Sequence, residues 1–144
     1  MSSKKDKTKP INNYYMGLAL ALARENAGLT KENPSVGCVL VKNNQIISTG
    51  ITSINGRPHA EYNAVKNSVD NVSGSTAYVT MEPCTHKGKT DPCSSLLIKS
   101  KIKKVYFSVS DIDERTSNKA LKVFKRKGIV CLLYTSDAAD ESTC

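Results

Sequence analysis

Thr76-Ala77-Tyr78-Val79-Thr80-Met81-Glu82-Pro83-Cys84 opens as a run of strand formers and closes on a proline and a thiol. β-Branched and aromatic side chains suit a buried strand over 76–81, and Pro83 cannot continue a ladder. A polar loop follows, and Pro92 opens a helix to about residue 100. Residues 104–109 then read as a strand, 111–118 as a loop and 119–127 as a basic helix. Gly128 ends that helix, and a last strand starts at Ile129. Upstream, Gly74 closes a polar link behind a helix that Pro58 opens and that runs to about residue 68. Residues 36–42 and 45–52 form a β-hairpin about Asn43-Asn44, and Asn33-Pro34-Ser35 is a loop. Asn12 or Asn13 can cap a first helix with apolar residues over 14–23, and Gly28 follows it as the C′ residue. This order predicts an α/β, three-layer αβα sandwich, with helices on both faces of one mixed sheet of about five strands.

The chain has 144 residues, 39% hydrophobic and 24% charged, which suits one domain with one core. No apolar run is long enough to cross a bilayer, so no membrane partner is expected. Tandem domains, repeat arrays and coiled coils are excluded as too large or too periodic. The first helix is apolar nearly all round from Leu18 to Ala23, so both sides should be covered, which admits a homo-oligomer.

Lys and Arg total 21 against 13 Asp and Glu, a net charge of +8. The excess is clumped at Lys4 to Lys9, Lys99 to Lys104 and Lys119 to Lys127. It suits nucleic acid and phosphorylated metabolites equally. No aromatic residues interleave with these lysines as base stacking would require, so they read as solvated surface and nucleic acid is not the expected partner.

Five cysteines without even spacing favour reduced thiols, some of them metal ligands, over a disulfide framework. Basic residues 4–9 followed by Leu18 to Ala23 imitate a secretory signal. Tyr14, Tyr15 and Gly17 interrupt it, and the pattern continues into Arg24, Glu25 and Gly28. The expectation is a helix of a cytoplasmic protein. Residues 1–10 read as a mobile basic arm and 11–130 as the domain. The run from Cys131 to Glu141 resembles a translated transposon-type sequencing adaptor, so 131–144 read as a non-native tail. The other reading is a frayed acidic terminus in which Leu132 and Leu133 end a real strand.

Two segments carry chemistry: Pro58-His59-Ala60-Glu61, and Pro83-Cys84-Thr85-His86-Lys87-Gly88-Lys89-Thr90-Asp91-Pro92-Cys93. Either alone is weak, since a lone His or Cys is more often packing than chemistry. Together they offer one imidazole and two thiolates beside helix N-termini, where the dipole favours anions. Zn2+ takes such ligands, and three of them, His59, Cys84 and Cys93, leave a fourth position for water. Two thiolates neutralise the dication. Glu61 would share a first turn with His59 and act as proton carrier rather than ligand. His86 as a fourth ligand would instead close the site and make it structural.

His-x-Glu paired with Pro-Cys…Cys resembles the zinc-dependent cytidine-deaminase superfamily. The eight residues between Cys84 and Cys93, against two in the short-spaced members, resemble the deaminase domain of bifunctional riboflavin-biosynthesis proteins. Asn33-Pro34-Ser35-Val36-Gly37-Cys38-Val39 and residues 77–84 resemble that family's first and third strands, and the likeness runs from about Tyr14 to Val130. It implies a cytidine-deaminase-like fold, Zn2+ as cofactor and hydrolytic deamination of 2,5-diamino-6-ribosylamino-4(3H)-pyrimidinone 5′-phosphate, a phosphorylated pyrimidine, with release of ammonia. Glu61 would move the proton from water to the ring nitrogen and then to the leaving amine. Asn33 matches a position that contacts the pyrimidine. His86 and Lys89 match the inserted loop, where Lys89 would meet phosphate or ribose. Asp111-Ile112-Asp113 departs from the family's Asp-Pro-Asn and puts a carboxylate where phosphate would repel it, with Arg115 near enough in sequence to compensate. The family's C-terminal reductase domain is absent from this sequence, so no dinucleotide binding is expected. Two other readings stay open: another deaminase of the superfamily, acting on a nucleotide or tRNA adenosine, and a basic structural-zinc module that binds nucleic acid.

Overall fold

A computed structural model describes residues 9–85, 92–108 and 119–134. In chain order the elements are α1 (Lys9–Glu25), β1 (Gly37–Lys42), β2 (Gln45–Ile51), a helical turn over Ile54–Gly56, α2 (Ala60–Asn67) and β3 (Thr76–Val79). They continue with α3 (Cys93–Lys99), β4 (Lys104–Phe107), α4 (Lys119–Arg126) and β5 (Val130–Leu133). The five strands make one sheet in the order β2-β1-β3-β4-β5. β1 runs antiparallel to both β2 and β3, whereas β3–β4 and β4–β5 are parallel. The sheet is therefore mixed, as the order of elements predicts.

Strand alternation splits the interior into two cores. Cys38, Leu40, Ala77, Val79 and Val105 face one way, packed with Ala60 and Ala64 of α2, Leu97 of α3 and Phe124 of α4. Val39, Val41, Tyr78 and Tyr106 face the other way, packed with Tyr15, Met16 and Ala19 of α1. Three layers result: α1, the sheet, and the group α2, α3 and α4. Tyr14 and Leu20 of α1 remain 62% and 37% exposed in the single chain, so its outer side is not covered. Among the described residues, no helix is long and apolar enough to cross a membrane.

Local signals act where they are placed. Asn43 and Asn44 both adopt positive φ, 53° and 63°, as a two-residue hairpin turn demands. Gly128 closes α4 at φ 76°. Its N–H reaches Lys125 O at 3.1 Å while that of Ile129 reaches Phe124 O at 2.9 Å, the paired bonds of a Schellman ending. Gly50 lets α2 lie directly on β2: a Cβ there would stand 2.2 Å from Ala60 O and 2.4 Å from Ala64 N. The helix that carries the site chemistry is thus seated by a missing side chain.

Two boundaries differ from expectation. α1 starts at Lys9, so Pro10 lies in its first turn, where a missing N–H costs nothing. Asn12 is consequently inside the helix and not its cap; it is buried, and its Oδ1 accepts the Tyr78 hydroxyl at 2.7 Å. The helix also takes in Lys9 and Pro10 of the expected arm, and residues 1–8 lie outside the described residues. Likewise Pro58 does not open α2. It follows a cis bond from Arg57, and His59 is the N-cap residue. At the other end, Cys131, Leu132 and Leu133 pair in register with Val105, Tyr106 and Phe107. Residues 135–144 lie outside the described residues.

Candidate metal centre

The site forms where two helices begin. His59 is the N-cap residue of α2, in extended conformation (φ −73°, ψ 165°), and its ring makes no capping hydrogen bond to the helix. Glu61 follows in the first turn, where a carboxylate is favoured by the helix dipole. Cys93 is the first residue of α3 and Cys84 lies in the loop that leaves β3. The backbone N–H of Cys93 donates to Cys84 Sγ at 3.2 Å, and that of Ser94 to Cys84 O at 3.1 Å. Cys84 therefore satisfies free N–H groups at the start of α3, and the long interval between the cysteines begins and ends at one place.

His59 Nδ1 lies 3.4 Å from Cys93 Sγ. One ligand atom from each of His59, Cys84 and Cys93 falls within 4.8 Å of the others. Zinc bonds of about 2.0–2.1 Å to nitrogen and 2.3 Å to sulfur in a tetrahedron separate ligand atoms by about 3.5–3.8 Å. The side chains are already close to that spacing. The donor set, two sulfurs and one imidazole, is what a zinc ion prefers. His59 Nε2 is buried with no hydrogen-bond partner among the described residues. An imidazole so placed is held by what its other nitrogen, Nδ1, meets.

Protonation reflects the crowding. The Cys84 thiol is pushed down to about 4, chiefly because Cys93 donates its S–H to it, with His59 adding to the effect. Cys93 is pushed up by the same hydrogen bond and by burial. The hydrogen bond to Cys84 raises His59, against the opposing effect of burial. Three groups thus compete for protons around a thiolate, and a bound cation would displace those protons. Glu61 is 4% exposed, and burial pushes its carboxyl up to about 7. Cys38 lies on β1, fully buried; burial first and the Glu61 charge second raise its thiol well above the ordinary range. It serves as packing beside Glu61.

Of the other expected site residues, Asn33 donates from Nδ2 to Gly56 O at 2.9 Å and is half-buried in the turn that leads toward His59. His86, Lys89, Asp111, Asp113 and Arg115 lie outside the described residues. Two residues that sequence reading passed over also build the site. Asn63, on α2, donates from Nδ2 to Ile51 O at 2.7 Å, Ser53 Oγ at 2.9 Å and Pro58 O at 3.3 Å, which fastens the approach to His59. Its place four residues after His59, on the same helix face, is the signal that was available. The second, Glu82, is buried two residues before Cys84.

Residues 9–109 match the family model described as the cytidine and deoxycytidylate deaminase zinc-binding region. The chain belongs to this deaminase family. Among curated deaminase relatives, the chain is 41% identical over 116 residues to the diaminohydroxyphosphoribosylamino-pyrimidine deaminase of Buchnera aphidicola subsp. Schizaphis graminum, covering 81% of this chain and 79% of that one. It is 45% identical over 115 residues to the riboflavin biosynthesis protein RibD of Actinobacillus pleuropneumoniae, covering 80% of this chain and 31% of that protein. The solved structure of Acinetobacter baumannii RibD, form 2, superimposes with a TM-score of 0.80 at 39% identity, over 85% of this chain and 34% of that one. This deaminase chain therefore spans about a third of the length of the RibD proteins it matches. Its mixed five-stranded sheet is the cytidine-deaminase-like fold.

Proposed function

We propose that the chain deaminates 2,5-diamino-6-ribosylamino-4(3H)-pyrimidinone 5′-phosphate in riboflavin biosynthesis, replacing the 2-amino group by oxygen and releasing ammonia. One observation carries this reading: His59, Cys84 and Cys93 converge within 4.8 Å, with buried Glu61 two residues from His59, in a chain that resembles a deaminase named for that pyrimidine.

His59, Cys84 and Cys93 would hold Zn2+. Bound there, the ion supplies a Lewis acid that makes water acidic near neutral pH. Glu61 does the proton work. Its carboxylate takes a proton from the attacking water, passes it to the ring nitrogen, and later serves the leaving amine. The C–O bond forms first, as the ring C=N π bond is lost and its nitrogen takes that proton. The exocyclic C–N bond then breaks as the hydroxyl's remaining proton passes through Glu61 to the amine, leaving a carbonyl and ammonia. Burial suits the carboxyl for both directions of transfer, because a group poised near 7 neither keeps nor refuses its proton. Asn33 is the proposed contact to the pyrimidine through its side-chain oxygen. His86 and Lys89 are the proposed contacts from the inserted loop, Lys89 as a point charge toward phosphate. Reduced thiols at the site agree with a cytoplasmic enzyme.

Ammonia release by purified, zinc-analysed protein tests the assignment. Turnover of the diaminopyrimidine phosphate, with none of dCMP, is the expected result. Turnover of dCMP alone would move the chain to another substrate within the superfamily. Zinc without turnover of either, together with salt-sensitive polynucleotide binding, would favour a structural-zinc module.

A further inference from the structure

Glu82 is buried, 3% exposed, at the point where the chain leaves β3 and turns toward Cys84. A buried carboxylate needs partners, or its desolvation becomes a large cost. One partner is distant in sequence: Glu82 Oε2 accepts the backbone N–H of Ala120 at 2.9 Å. Ala120 is the second residue of α4 and is itself fully buried. The carboxylate thus satisfies a free N–H in the first turn of α4, where the helix dipole favours a negative charge. The same charge is felt in the last strand, where burial first and Glu82 second push the Cys131 thiol up to about 12.

Cys84 is therefore fixed from two sides. On one side the N-terminus of α3 donates to its sulfur and its carbonyl. On the other, two residues back along the chain, Glu82 is tied to α4. The α4–β5 unit supplies none of the three ligands in the described cluster, yet the Glu82 carboxylate joins it to the segment that leads into Cys84.

We infer that Glu82 is a positioning residue for the metal centre, holding the Cys84 loop against the N-terminus of α4 so that the two sulfurs and the imidazole are set before the ion arrives. The inference rests on the metal-binding reading and deepens it. Groups that orient ligands without touching a metal typically change affinity by about 10–100-fold when removed.

The test compares Zn2+ affinity, by chelator competition, for the parent chain, Glu82→Ala and Glu82→Gln. The Co2+ absorption spectrum and metal-free thermal stability are measured on the same samples. Glu82→Ala is expected to weaken zinc about 10-fold or more and to alter the cobalt–thiolate bands. Glu82→Gln keeps an oxygen that can accept the Ala120 N–H, so it is expected to recover most of the affinity. If Glu82→Ala does not fold, Ala120→Pro, which removes the donor N–H in the first turn of α4 and leaves Glu82 in place, decides: zinc bound about 10-fold more weakly supports the inference and parental affinity overturns it. A Glu82→Ala chain that binds zinc like the parent while losing only thermal stability would overturn it, as would a Glu82→Gln chain that folds but binds tenfold more weakly. Failure of the parent to bind either metal would overturn the metal reading itself, a separate outcome.

Discussion

The backbone N–H of Cys93 donates to the sulfur of Cys84 across 3.2 Å, so residues nine apart in the chain meet at the first turn of α3. The bond explains how a long interval between cysteines is compatible with one compact ligand set. Helix α3 starts on the sulfur, so the two thiols stand together although eight residues separate them in the chain. The Cys93 N–H also stabilises negative sulfur, which is the form a metal requires.

Replacing Cys84 therefore removes a proposed ligand together with the sulfur that accepts the first N–H of α3. Cys84→Ser should lower zinc affinity by at least about 100-fold, because a hydroxyl is a poor substitute for thiolate. Competition against a chromophoric chelator measures it. Zinc retained at parental affinity would remove Cys84 from the ligand set.

Gly50→Ala tests how α2 is seated. The added methyl group would meet backbone atoms of Ala60 and Ala64 at 2.2 and 2.4 Å, and backbone cannot yield as a side chain can. A loss of about 1–3 kcal/mol is expected from overpacking. Turnover should fall as well, because His59 and Glu61 ride on the displaced helix. Thermal unfolding and ammonia release on one preparation give both values.

Asn63→Ala should cost about 1–3 kcal/mol, since it removes the amide from Ile51 O and Ser53 Oγ, while Pro58 O keeps the Ser53 N–H at 3.0 Å. Denaturant unfolding measures the loss. No change in midpoint would show that water replaces the amide freely.

Much of this was legible from residue order alone. The hairpin follows from Asn43-Asn44, which tolerate positive φ, and the end of α4 from Gly128. The approach of His59 to Cys84 and Cys93 was readable because each sits beside a helix start, and zinc chemistry needs only residue type and rough proximity. What was hidden depends on partners far along the chain. Asn12 looks like a cap by its type. Its acceptor instead meets Tyr78, 66 residues away, once Pro10 has begun the helix earlier. Pro58 looks like a helix opener, but the turn fastened by Asn63 places it one step outside. Glu82 reads as a loop acid until α4 folds back and offers the Ala120 N–H, 38 residues distant. Local chemistry fixes boundaries only where no distant group competes for the same atom.

Metal removal should alter thiol chemistry in a specific place. Chelation is expected to make Cys84 open to iodoacetamide, since it is only half-buried, whereas zinc-loaded protein should be protected there. Peptide mapping reads the site directly. Equal labelling with and without zinc would argue against metal binding at this sulfur.

The most direct measurement is zinc content and ammonia release on the same sample of Glu61→Gln. The amide keeps the shape of the side chain but cannot accept and return the proton. Zinc near the parental amount with release lowered about 10²–10⁴-fold is the expected result. Release at the parental rate from zinc-loaded Glu61→Gln would contradict the proposed chemistry at its centre.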